Sequence, residues 1–122
     1  GDEIGMRGGK DPDNRRPFNW LWESDPQARE LRKYYQALIR LRRAHPPLQT
    51  GEFSFLDSPD GVLSYTRQMP GSVIKVYMNC SVSVRGLECS EEGEILFSPG
   101  DISFEGKNLV LQPQSAVVLC CK

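Results

Sequence analysis

The sequence predicts a mainly β fold: an antiparallel β-sandwich over residues 50–122, preceded by a loop and one long α-helix within residues 1–49. Three observations predict it. After Pro47 the chain breaks into short runs rich in Val, Ile, Phe, Tyr and Leu, separated by Gly- and Pro-containing turn signals, which is the spacing of an antiparallel sandwich or barrel. Before Pro46 one stretch carries apolar residues at three- and four-residue steps, the period of a helix with one buried face. Charge divides at the same place. Residues 1–50 hold ten Lys/Arg and seven Asp/Glu, a net of +3; residues 51–122 hold five and nine, a net of −4; together they give the chain its −1.

The bounds are those of an ordinary soluble sequence. With 122 residues, 39% of them hydrophobic and 25% charged, the chain fits one small domain or part of a larger one. A net charge near zero supplies no global field toward nucleic acid or anionic lipid. The longest apolar runs, such as residues 116–121, are too short to span a membrane. No charged-then-apolar signal segment opens the chain. It starts at Gly1 without a Met and enters what reads as a functional loop, so a truncated start is expected.

Residues 1–23 have no usable period and are punctuated by Gly5, Gly8, Gly9 and Pro12, which makes them a long loop. Phe18, Trp20 and Trp22 argue against disorder. Ser24 or Asp25 then caps a helix, with Pro26 in the first turn where a missing N–H costs nothing. Leu31, Tyr34, Tyr35, Leu38 and Leu41 form its apolar stripe, and Pro46–Pro47 stop it. Arg29, Arg32, Lys33, Arg40, Arg42 and Arg43 fill much of the rest. With no basic sheet or base-stacking motif downstream, they read as a solvated face with cations near the helix C-terminus rather than as a nucleic-acid surface.

Seven strand-like runs follow: GEFSFLD, VLSYTRQ, SVIKVYMNC, SVRGLEC, EILFSP, NLVLQP and SAVVLCC. Turn signals stand at residues 58–61, Pro70–Gly71, Glu92–Gly93 and 99–101. In the third run Val73, Lys75, Tyr77 and Asn79 alternate against Ile74, Val76 and Met78. The cysteines Cys80, Cys89, Cys120 and Cys121 contain no C-x-x-C, and His45 is the single histidine, so neither a zinc site nor any other metal site is expected. Cys120 and Cys121 are neighbours in a strand, where side chains point to opposite faces. Reduced, partly buried thiols are expected, consistent with a cytoplasmic, reducing compartment.

Several motifs fail on spacing. GMRGGKD lacks both the first glycine and the Ser/Thr of a phosphate loop. DPDNRR begins like a calcium loop, but its sixth position is Arg16 and its twelfth is Trp22. No G-x-S-x-G is present. His45, beside a double proline, suits a cap or surface role. What survives is a loop displaying Asp2, Glu3, Asp11, Asp13, Arg15 and Arg16 beside Phe18, Trp20 and Trp22. Carboxylates and guanidinium groups hydrogen-bond vicinal hydroxyls, and aromatic faces stack on sugar rings, so the set suits a carbohydrate. Composition alone favours a salt-bridged loop packed on its own aromatic cluster.

The order of residues adds to this. GDEIGMRGGKDPDNRRPFNW resembles the segment after the eighth barrel strand of α-amylase superfamily glycoside hydrolases, above all the neopullulanase, cyclomaltodextrinase and maltogenic amylase group. RKYYQALIRLRRAHPPLQTGEFSFL resembles the last barrel helix and its passage into the C-terminal β domain, and GVLSYTRQMPGSVIKVYMNCS the first strands of that domain. The resemblance implies that residues 1–49 are the end of a catalytic (β/α)8 barrel and residues 50–122 a C-terminal β-sandwich. It implies that Asp11 and Arg15, the first Asp and the Arg of Asp-Pro-Asp-x-Arg, bind a glucose unit on the non-reducing side of the cleavage point. Asp2 and Glu3 would brace that rim. The superfamily's two catalytic Asp and one Glu lie on earlier barrel strands, so no catalytic residue and no cofactor are expected here. Relatives often carry Cys where this chain has Asn14, and the PFNW stretch varies among them.

The implied parent hydrolyses α-1,4 (and α-1,6) glucosidic bonds of maltodextrins with retention, needs no nucleic acid or membrane partner, and leaves homo-oligomerisation and secretion open. Two rival readings are a free-standing carbohydrate-binding β module with a helical lead-in, and a protein-interaction domain that uses the basic helix.

Overall fold

A computed structural model describes residues 1–89 and 93–121. Of the turn signals, Glu92 lies outside the described residues. The chain divides into two compact units, Gly1–Leu41 and Arg42–Lys122.

In the first unit the opening segment is not wholly irregular. Single 3-10 turns stand at Asp2–Ile4, Asp13–Arg15 and Trp22–Ser24. Gly5 closes the first of them with φ 66°, and a Cβ there would come within 3.3 Å of Leu31 Cδ2, so glycine lets this turn sit against the helix. Ile4 and Ala28 are buried. Further along, the Arg32 guanidinium lies 4.6 Å from the centre of the Trp22 ring, a cation–π contact that holds the third turn to the helix.

That helix, α1, spans Pro26–Ala44. Asp25 caps it: its Oδ1 accepts the Gln27 N–H at 2.9 Å. The expected stripe is present but only half covered. Leu31 and Leu41 are partly buried, whereas Tyr34, Tyr35 and Leu38 are 39%, 38% and 36% exposed. The stripe residues therefore contribute little of the apolar burial of the described fold.

In the second unit the double proline does not lead directly into a strand. A short helix, α2, spans Pro47–Thr50. Pro47 stands at its first position, where its fixed φ suits a helix. The Gln49 side-chain amide donates to the carbonyls of Arg42 and Arg43 at 3.0 and 3.1 Å, and Arg42 donates to the Leu48 carbonyl. The two Gln49 bonds satisfy carbonyls that the end of α1 leaves without helical partners, and the Arg42 bond ties α1 to a carbonyl of α2.

All seven strand-like runs form strands: β1 Glu52–Phe55, β2 Val62–Met69, β3 Ser72–Asn79, β4 Arg85–Glu88, β5 Gly93–Phe97, β7 Asn108–Leu111 and β8 Ala116–Cys121. An eighth, β6 Ile102–Glu105, stands between β5 and β7. It pairs with β7 around the two-residue turn Gly106–Lys107, with Gly106 at φ 61°. One sheet has the order β1-β2-β3-β8-β5 and the other β4-β7-β6, with every pairing antiparallel. The two share one core: Val62, Tyr77, Val117 and Leu119 from the larger sheet meet Leu109 and Leu111 from β7, with Cys89 and Cys121 beside them. This is the β-sandwich that the alternation predicts.

The alternation in β3 resolves in a particular way. Val73 and Tyr77 face the shared core, yet Ile74 and Val76 on the opposite face are buried as well. α2 lies against β2 and β3, which is why this strand reads as apolar on both sides. At its end Asn79 is 2% exposed. Its side-chain amide donates to the carbonyls of Ser83, Leu111 and Gln112 at 2.8–3.1 Å, and its Oδ1 accepts from the Ser81 amide and hydroxyl. One side chain thus ties the larger sheet to the end of β7. Gly61 precedes β2 at φ 81°, and a Cβ there would lie 2.7 Å from that of Ser81.

Candidate functional site

Asp-Pro-Asp-x-Arg folds around the 3-10 turn Asp13–Arg15. The turn brings Asp11 and Arg15 together: Arg15 Nε lies 2.9 Å from Asp11 Oδ1, with both side chains well exposed, 78% and 62%. A guanidinium has five N–H donors in a planar fork, so one bond to Asp11 leaves most of them available to hydroxyl oxygens. The aspartate fixes the fork and keeps one oxygen for a donor.

A second pair, which the sequence reading did not single out, stands beside it. Arg16 donates from Nε and Nη2 to the two oxygens of Asp13, both at 2.7 Å, and from Nη1 to the Arg7 carbonyl at 3.3 Å. The available signal was the three-residue spacing of Asp13 and Arg16, which stand at the first residue of the turn and at its extended C-cap. Two neighbouring arginines are thus oriented by two aspartates of one short turn.

Asp2 and Glu3 stand in the separate turn Asp2–Ile4. The structure describes no contact of Asp2 or Glu3 with Asp11 or Arg15.

The aromatic cluster is divided. Phe18 and Trp20 meet edge to face with ring centres 4.8 Å apart, while Trp22 is taken up by Arg32. Trp20 is 81% exposed. Two open grooves run past these rings, of about 730 and 480 Å3. Met6, Arg7, Arg16 and Phe18 line both. Trp20 and Asn19 belong to the first, Asp2 and Asn14 to the second.

Hydrolysis of a glycoside needs two carboxyl groups on opposed faces of the scissile bond, one of them able to give a proton. Asp11 and Asp13 each accept from an arginine. Among the described residues no group of three His, Cys, Asp or Glu is placed to hold a metal ion, and all four cysteines are thiols. His45 closes the turn into α2, its carbonyl accepting from the Leu48 amide at 3.0 Å.

No family model matches the chain. Curated relatives do. A cyclomaltodextrinase of Thermoanaerobacter pseudethanolicus is 35% identical over 98% of this chain and 21% of its own length. Neopullulanase 2 of Thermoactinomyces vulgaris is 37% identical over 65% of this chain and 14% of its own length. The chain thus spans about a fifth or less of these relatives. Among solved structures, an α-amylase from H. orenii superposes on the whole chain with a TM-score of 0.81 at 22% identity, over 31% of that protein. The likeness runs across the Asp-Pro-Asp-x-Arg turn, the helix and the sandwich alike, and the chain belongs to the α-amylase superfamily, alongside its cyclomaltodextrinases and neopullulanases.

Proposed function

We propose that this chain serves an α-glucan hydrolase of the superfamily as a rim that holds substrate and as a structural β domain, with the hydrolytic carboxylates located elsewhere in that protein. Residues 1–49 are on this reading the loop after barrel strand eight and the last barrel helix, and residues 50–122 the C-terminal sandwich. Asp11 and Arg15 bind a glucose unit of a maltodextrin-type substrate, and Asp2 and Glu3 brace the rim. The observation that carries the reading is the exposed Asp11–Arg15 pair, held at 2.9 Å with most of its donors turned to no other residue among those described. The thiol state of the cysteines supports a reducing, cytoplasmic setting. No described helix is long and apolar enough to cross a membrane.

The reading predicts that the purified 122-residue chain releases no glucose or maltose from maltotriose above a mock-purified control. Turnover that follows the chain through purification overturns it.

One observation favours the interaction reading as well. Ile39, at 54%, adds to the exposed Tyr34, Tyr35 and Leu38 on α1, and apolar faces of this kind mark protein contacts. It concerns the helix and leaves the role of the loop unchanged.

A further inference from the structure

We draw no further inference here: the strongest candidate, the aromatic patch that the exposed Phe53 and Phe55 of β1 form with Tyr65 of β2 at one edge of the larger sheet, is an unpartnered apolar face, and nothing in the structure shows what covers it.

Discussion

Asn79 shows how much can rest on a single side chain. It is almost wholly buried and takes part in five hydrogen bonds that join the end of β3 to the carbonyls that follow β7. Removal of the amide breaks all five bonds at once and leaves the buried Leu111 carbonyl without this donor. Asn79→Ala is therefore expected to cost about 2–4 kcal/mol in urea unfolding of the chain; a loss below about 0.5 kcal/mol would mean that water or a shifted loop replaces the bonds. The sequence displayed Asn79 as the end of a Val/Ile-rich strand without showing this role, because its partners lie up to 33 positions away. Asp11 and Arg15 were singled out through the resemblance, and the structure sets them at ion-pair distance from each other. The Asp13–Arg16 pair was not, because two arginines and two aspartates within six residues allow several pairings. Only the 3-10 turn selects between them.

At the scale of elements, local rules decided most of the outcome. The start of α1 was readable because a cap is a short-range event, and Asp25 followed by Pro26 is such a cap. Asp25→Ala is expected to destabilise the first turn by about 1 kcal/mol, seen as roughly fivefold faster amide exchange at Gln27 in its vicinity. Unchanged exchange would show that the neighbouring turn at Trp22–Ser24, and not the aspartate, fixes the helix start. Two elements were not readable. β6 is four residues long, with exposed Ser103, Phe104 and Glu105, and its identity comes from pairing with β7 rather than from its own composition. α2 sits where a double proline signals an end, and it forms because Gln49 and Arg42 supply the bonds that close it. The degree to which the α1 stripe is covered was likewise beyond periodicity, which locates an apolar face and says nothing about what lies against it.

For the whole molecule, the sandwich was the most legible feature. Seven strand-like runs and four turn signals follow one another in the sequence, and repetition makes such a pattern robust to any one misread strand. Its core is a single cluster contributed by both sheets. The family was legible only where order, and not composition, was used: the same charged and aromatic residues fit a self-packed loop, and the structure does use part of them that way, with Trp22 under Arg32 and Asp13 on Arg16. What separates a rim that holds sugar from a loop that holds itself is the pair that faces outward. The most direct measurement is therefore kcat/KM of the complete enzyme carrying Arg15→Ala, Asp11→Ala or both, on long maltodextrins and on short aryl glucosides. A lost charge-assisted bond of about 1.5–3 kcal/mol predicts a ten- to hundredfold loss on the long substrate for each single variant, with the double variant less than additive. The loss is expected to shrink on the short one, which does not reach the subsite; equal losses on both substrates would contradict the account and make the turn a structural element alone.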